Sequence, residues 1–295
     1  MPYKYHVQMD FYADWVNILK TRLRRAGFPV DGRVQDEDVP LRYFNLRKRM
    51  ISPVPRNVLV AREFTCPDEC KAGLENVTAK IRKGEDLTSH LSKRITDLDY
   101  NDALLNDWGI HHLHLGIDVD DSGFVTRTGP LLFAHFDSEN AYMINVMEHG
   151  DWSRQKIIEI IHSNWPEAFA KYRLPGVLGL STKFSDEDVR KLRKAGITVL
   201  TEPEQGAVYA PIGGGYALSG DSIDALRTAD GYARWIRELE EYVRSNIHYF
   251  GQEAKEQHGI ELGWSIQLVL CISDDGKVSA IEPSSRVLIS LGKLP

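Results

Sequence analysis

The hydrophobic period changes in the middle of the chain, and this change limits the fold more than any other feature of the sequence. Three short apolar runs, at residues 110–117, 131–136 and 141–147, are separated by the turn-rich segments DVDDSG and DSEN. Short apolar runs bounded by such turns predict strands that follow one another as an antiparallel meander. Because stretches of helical spacing flank these runs without a regular βαβ rhythm, we expect an α+β fold in which helices pack on the meander.

Helical spacing predicts several helices and a division of the chain. The segment YRLPGVLG interrupts the pattern near residue 172. We expect a basic helical lobe with the histidine-bearing meander at 1–172 and a smaller α+β lobe at 173–295, unless the two form one domain. A strand is predicted at 57–64 and a hairpin with an Asp-Gly turn at Asp275. The predicted helices cover residues 10–27, 66–81, 89–108, 152–162, 185–196 and 221–249.

Composition narrows the class of protein. The chain has 295 residues, of which 42% are hydrophobic, and its three cysteines are too few for a disulfide scaffold. It contains no apolar run of the roughly 18 to 20 residues that a membrane span requires, and the segment MPYKYHVQMDFY has no apolar core. We expect a soluble, cytoplasmic protein without a membrane partner.

Histidines are concentrated in the predicted meander. Five of the ten histidines lie within the 39 residues from His111 to His149. Side chains alternate between the two faces of a strand, so His112 and His114 share one face. The neighbouring strand offers His135. Two imidazoles on one face and a third ligand can hold a divalent ion and leave one position open for water.

Three interpretations of these histidines stay open at this level. The first is a divalent metal ion, Zn, Mn or Mg, bound by His112, His114 and His135. The second is metal-free acid–base or phosphate-binding chemistry, and the third is a purely structural role. No nucleotide cofactor is expected, because PIGGGYALSGDS lacks the lysine of a phosphate-binding loop and the glycine order of a dinucleotide fold.

Charge is distributed unevenly along the chain. Eleven Lys and Arg residues and four acidic residues lie between Lys20 and Arg62, whereas residues 99–151 contain ten acidic residues and Arg127 alone. A basic lobe of this kind predicts phosphate contacts, and its alternative interpretation is a solvated face. Within it, the predicted nucleic-acid-binding residues are Arg42, Arg47, Lys48 and Arg49.

The segment from HLHLG through Arg127 to LLFAHFDSENAYMINVMEHGDW resembles the strand pattern of RelE-type ribonuclease toxins. The likeness covers about 40 residues, and in those toxins a strand, an arginine-bearing strand and a last strand ending in histidine surround the scissile phosphate. The resemblance implies that Arg127 neutralises the phosphate, that His149 acts as general acid or base, and that Glu148 orients it.

These features together predict a nuclease-like phosphodiesterase. His112 and His114 would hold the ion, His135 or His149 would complete the shell or move a proton, and Arg127 would offset phosphate charge. One alternative is a non-enzymatic nucleic-acid-binding or regulatory protein with a protein partner. Another is a small-molecule metalloenzyme, which would share the metal but not the phosphate-binding lobe.

Overall fold

A computed structural model describes residues 5–28, 30 and 34–294, so Asp31 and Arg33 of the predicted basic lobe lie outside the described residues. Within this part of the chain there are eight α-helices and eleven strands, and the predicted α+β class is confirmed. The helices are α1 (Phe11–Arg25), α2 (Val39–Arg49), α3 (Lys71–Lys83), α4 (Ala103–Trp108), α5 (Lys156–Asn164), α6 (Asp186–Lys194), α7 (Ile223–Ser245) and α8 (Ile247–His258). The strands are β1 (His6–Gln8), β2 (Asn57–Val60), β3 (His111–His114), β4 (Leu131–Phe136), β5 (Asn140–Met147), β6 (Thr201–Glu204), β7 (Ala207–Tyr209), β8 (Ser265–Gln267), β9 (Val269–Ile272), β10 (Lys277–Ile281) and β11 (Leu288–Lys293).

The chain divides into two compact units. One consists of Met1–Phe44 with Arg227–Pro295, and the other is Asn45–Leu226. This division differs from the predicted boundary near residue 172, because backbone hydrogen bonds join that segment to β7 within the second unit. The Leu174 amide donates to the Val208 carbonyl at 2.8 Å, and the Ala210 amide donates to the Tyr172 carbonyl at 2.9 Å.

The unit Asn45–Leu226 is built around a four-stranded sheet with the order β2-β5-β4-β3. Strands β3, β4 and β5 pair antiparallel, which confirms the predicted meander, and β2 adds to β5 in parallel. The core includes the side chains of Trp108, Phe133 and Ile144 and four isoleucines of α5, all buried. Burial of this apolar surface is the main favourable contribution to folding of the unit.

Strand register determines which histidines share a face. His112 pairs with Phe133 and His114 pairs with Leu131, so these four side chains lie on one face of the sheet. His111 pairs with Ala134 and packs edge-on against the ring of Phe136 on the opposite face.

Residues 89–108, which the sequence predicts as one helix, form only short turns and the six-residue α4. Polar side chains in this segment bind nearby backbone amides: Ser92 accepts from the Arg94 amide at 3.3 Å, and Asp97 accepts from the Asp99 amide at 2.9 Å. Such local hydrogen bonds compete with helix formation. The helix therefore starts late, at Asp102, whose carboxylate caps it by accepting from the Leu105 amide at 3.0 Å.

Helix α6 forms where the sequence predicts it. Ser185 and Asp188 make the capping box, in which each side chain accepts from the backbone amide of the other. Basic side chains occupy the last turn, where they favour the negative end of the helix dipole.

The other unit contains a three-stranded antiparallel sheet, β11-β10-β9, and the parallel pair β1-β8. The predicted hairpin at Asp275 is the connection between β9 and β10. Helix α1 begins after Asp10, and Asp14 on α1 accepts a hydrogen bond from the Leu270 amide of β9 at 2.8 Å. Within the described residues, no helix is both long and apolar enough to cross a membrane.

Candidate functional site

A cavity of about 590 Å³ lies within the unit Asn45–Leu226 and has the size of a small-molecule site. Three of the residues that the sequence singles out, His112, Arg127 and His149, line this one cavity. Its wall also includes Asp102 and Trp152. The fold therefore brings together His112 and His149, which are 37 positions apart in the sequence.

His112 and Asp102 form the inner wall of the cavity. The Nδ1 atom of His112 is 3.7 Å from Oδ2 of Asp102, and each side chain is 13% exposed. Burial lowers the pKa of His112 below its ordinary value, against the opposing effect of the Asp102 carboxylate, and Arg127 and His149 lower it further. The imidazole is consequently neutral at pH 7, which is the form able to accept a proton.

His149 follows the end of β5 and lies on the same wall. Its ring centroid is 5.0 Å from the ring of Trp152, and the His112 ring is 4.6 Å from that same indole. Both imidazoles therefore pack against one indole ring and both line the cavity.

Cationic side chains surround these two histidines. Five of them line the cavity, and the only carboxylate among the lining residues is Asp102. Arg94 precedes α4, Arg127 lies between β3 and β4, and the other three, Arg190, Arg193 and Lys194, belong to α6. The whole chain carries a formal charge of -6, so this cluster is a local exception that attracts anions.

Arg193 differs from the other cations because its ion-pair partner is buried, whereas Arg190 pairs with Glu187 at the surface. Its Nε and Nη2 atoms donate to Oδ2 of Asp107 at 3.0 and 2.8 Å, and the two side chains are 6% and 2% exposed. Its Nη1 atom donates to the backbone carbonyl of Trp152, and its guanidinium stacks over the ring of Trp108 at 4.3 Å. Arg193 thereby fixes the backbone that carries Trp152.

Two predicted site residues lie inside the protein and not at the cavity. His114 is 4% exposed, and burial together with the charge of Arg127 lowers its pKa to about 4. Its carbonyl accepts from Nδ1 of His90 at 2.8 Å. His135 donates from Nδ1 to the Gly109 carbonyl at 2.8 Å and packs edge-on against Phe169. The ring of His135 is thus held by the Gly109 carbonyl, whereas the His114 contact is made by its backbone.

The predicted metal set of His112, His114 and His135 receives no geometric support. No group of three or more His, Cys, Asp or Glu side chains in the described part of the chain is arranged to hold a metal ion. The three residues share a sheet face through strand alternation, but the ring of His135 is engaged with Gly109.

The remaining predicted residues have mixed outcomes. Glu148 is exposed and is not among the lining residues, so it is not the carboxylate beside a cavity histidine; Asp102 occupies that place. Arg127 lies in the connection between β3 and β4 and not in a strand. Glu148 instead lies near Cys70, whose pKa is raised by burial and by nearby negative charges including Glu148.

The basic run of α2 is largely turned inward. Lys48 donates from Nζ to the Gly213 carbonyl at 2.5 Å and to Oγ of Ser222 at 2.8 Å. Arg49 is 4% exposed and donates to the Arg94 carbonyl at 3.1 Å. Arg47 is exposed and Arg42 is partly buried. The expected phosphate contacts of Lys48 and Arg49 are therefore not available, because internal partners use the Lys48 ammonium and the Arg49 guanidinium is buried.

Sequence reasoning missed several residues of the cavity. Asp102 stands inside a segment predicted as continuous helix, and Trp152 carries no local signal. The cations of α6 had a detectable signal, since Arg190, Arg193 and Lys194 stand at i, i+3 and i+4 and share one helix face.

Comparison with protein-family models, with curated proteins and with solved structures returned no match for this chain.

Proposed function

We propose that the protein is a nuclease-like phosphodiesterase that uses His112 and His149 for acid–base chemistry on single-stranded nucleic acid. The observation that carries the proposal is one cavity lined by both histidines and by Arg127, with Asp102 beside the His112 ring. Two imidazoles and a guanidinium at one anion-attracting site can supply a general base, a general acid and charge stabilisation for phosphodiester cleavage.

His112 is the general base in this mechanism. Its lowered pKa keeps the ring neutral, so the ring can accept a proton from the attacking hydroxyl, which is the ribose 2′-hydroxyl of RNA or a water molecule. Asp102 stabilises the imidazolium that then forms. The hydroxyl oxygen forms a bond to phosphorus while the bond from phosphorus to the leaving oxygen breaks. His149 donates a proton to that leaving oxygen.

Arg127 stabilises the charge that develops on the phosphoryl oxygens. It is exposed and has no ion-pair partner among the described residues, so its guanidinium is free to bind two phosphate oxygens at once. A volume of about 590 Å³ admits a nucleotide or two of a single strand but not a duplex, which supports single-stranded substrates.

The test is cleavage of fluorescently labelled single-stranded RNA and DNA oligonucleotides by the wild type, His112→Ala and His149→Ala. Each substitution should slow cleavage by about 10² to 10⁴-fold while the circular dichroism spectrum stays that of the wild type. Arg82→Ala is the matched control, since Arg82 is exposed on α3 and does not line the cavity. A wild-type protein that cleaves neither oligonucleotide would overturn the proposal.

A binding protein without catalysis is the second candidate. Arg127 and Lys194 lack ion-pair partners in the described part of the chain, and such cations suffice to hold a phosphate chain without cutting it. Salt-dependent binding of an oligonucleotide that remains intact on prolonged incubation would favour this candidate.

A further inference from the structure

A second and much smaller cavity lies directly behind His112. Its volume is about 20 Å³, and its wall shares Ser92, Tyr100, Asp102 and His112 with the large cavity. It adds buried side chains that the large cavity does not contain, among them Arg49 and His111. A space of this volume is large enough for one water molecule.

The wall of this inner cavity is rich in polar atoms that have no partner within the described chain. They are Nε and Nη2 of Arg49, Nδ1 of His112 and a ring nitrogen of His111, whose other ring nitrogen interacts with the Lys48 backbone. A buried polar group that makes no hydrogen bond costs about 1–3 kcal/mol. A small polar molecule in the inner cavity would satisfy several of these groups at once.

The guanidinium of Arg49 is held in place with its remaining donors available. Its Nη1 atom donates to the Arg94 carbonyl at 3.1 Å, and its guanidinium carbon lies 5.7 Å from the centroid of the Tyr100 ring. The Tyr100 ring also contacts the guanidinium of Arg94, whose central carbon lies 5.0 Å from the ring centroid. Arg49 is 4% exposed, so its other donors cannot reach bulk solvent.

Donor and acceptor chemistry identifies the class of ligand. A guanidinium can only donate, so the ligand must accept from Arg49, whereas an ionised Asp102 can only accept, so the ligand must donate to it. A monatomic anion cannot donate to Asp102, and a cation cannot accept from Arg49. Water does both, and it commonly makes about three such bonds in buried sites.

We infer that an ordered water molecule occupies the inner cavity and joins Arg49 and His111 to Asp102 and to the Nδ1 side of His112. The direct Nδ1 to Oδ2 distance of 3.7 Å is beyond hydrogen-bonding range. The bridging water supplies the hydrogen bond that Asp102 alone does not make. Arg49 and His111 are then positioning residues, which act on His112 without touching the substrate.

The consequence concerns which ring nitrogen of His112 carries the proton. With Nδ1–H bonded toward Asp102 and the water, the lone pair of Nε2 is left for the large cavity, as a general base requires. This consequence rests on the proposed function, whereas the water site itself does not.

The test combines a high-resolution crystal structure with nitrogen-15 NMR of the histidine rings, for the wild type, His111→Phe and Arg49→Met. We expect an ordered water within about 3.2 Å of Arg49 and of Nδ1 of His112 in the wild type, with the proton on Nδ1. Phenylalanine at 111 retains the ring but removes both nitrogens. In each variant the water should be lost and the proton should move toward Nε2.

Kinetics provides a second readout. His111→Phe and Arg49→Met should lower kcat by about 100-fold, the lower end of what a general base contributes, and leave KM nearly unchanged. Arg49→Lys retains a donor and should recover part of the loss even where Arg49→Met fails to fold. Arg82→Met is the control, because Arg82 is exposed near the end of α3 and lines neither cavity. It should match the wild type in water, proton position and kcat.

The outcomes separate this inference from the proposed function. An inner cavity without water in the wild-type crystal, or an identical proton position in the wild type and in folded variants, would overturn the water bridge whatever the enzyme does. A wild type that holds the water but cleaves no oligonucleotide would overturn only the proposed function.

Discussion

Two helices carry clusters of basic side chains, and only one of them presents the cluster to a cavity. In α2 the charges are adjacent, at residues 47, 48 and 49, and Lys48 and Arg49 bind internal partners. In α6 the basic residues are Arg190, Lys191, Arg193 and Lys194, and all of them except Lys191 line the cavity. The denser cluster along the sequence is therefore the less accessible one in space.

Helical geometry accounts for the difference. Consecutive residues on a helix project about 100° apart, so three adjacent charges point in three directions and at least one of them faces the interior. Residues at i, i+3 and i+4 lie above one another on one face. Spacing of basic residues on a helix therefore predicts an anion-binding surface better than their local density does.

The largest expected effect distinguishes the two neighbouring arginines of α6. Arg193→Ala leaves Asp107 buried without its partner and should lower the free energy of unfolding by about 3–5 kcal/mol. Arg190 pairs with Glu187 at the surface, where solvent screens the pair, so Arg190→Ala should lower the free energy of unfolding far less than Arg193→Ala does. Urea unfolding curves measure both values.

The double variant Asp107→Leu with Arg193→Met sharpens this comparison. Replacing both charges by apolar side chains removes the uncompensated carboxylate, so the double variant should be more stable than Arg193→Ala. If Arg190→Ala and Arg193→Ala lowered the free energy of unfolding by equally small amounts, the buried pair would not be the interaction that stabilises the packing of α6.

The next largest effect distinguishes an arginine of the cavity from an exposed arginine of α2. Arg127→Ala should lower kcat/KM for oligonucleotide cleavage by about 100-fold, the cost of losing one group that stabilises transition-state charge. Arg47→Ala should leave it unchanged, because Arg47 does not line the cavity. If both substitutions slowed cleavage equally, the phosphate would have to bind both regions.

Much of the fold could be predicted from local patterns. The three strands of the meander and α6 lie within a few residues of their predicted positions, because each has a clear hydrophobic period and turn or cap residues at its ends. The segment 89–108 was predicted wrongly as one helix because Ser92, Asp97 and Asp102 bind local amides and interrupt it.

The site could be predicted only in part. His112, Arg127 and His149 were found because they are unusual residues in an apolar, acidic segment. Asp107 and Arg193 are 86 positions apart, and no local pattern records that they meet or that Arg193 holds the Trp152 backbone. Strand register has the same limitation, since it decides whether His135 joins His112 or packs against Phe169.

Acid should destabilise the sheet beside the cavity. Burial lowers the pKa of His111 and of His114 to about 4, whereas an unfolded chain takes up these protons near pH 6.5. Between those two values the unfolded state binds more protons than the folded state, so the free energy of unfolding falls as the pH is lowered from about 6.5 and levels off below about 4.

Urea unfolding at a series of pH values checks this expectation. His114→Gln should make the dependence shallower across that window, since one of the two titrating groups is removed. Arg127→Ala should act in the same direction, because the charge of Arg127 contributes to the lowered pKa of His114. A slope that neither substitution alters would assign the acid dependence to other groups.

The smallest expected effect concerns the salt dependence of oligonucleotide binding by the cationic cluster. Lys194 is exposed at the end of α6 and makes no ion pair with any described residue. If its ammonium contacts one phosphate, Lys194→Ala should reduce the slope of log affinity against log salt concentration by about 1, while Arg47→Ala leaves the slope unchanged. Fluorescence anisotropy of a labelled single strand, in a His112→Ala background that does not cleave it, measures this slope. A reduced slope for Arg47→Ala instead would show that the bound strand lies along α2. The i, i+3, i+4 spacing of the α6 cations would then not predict the anion-binding surface.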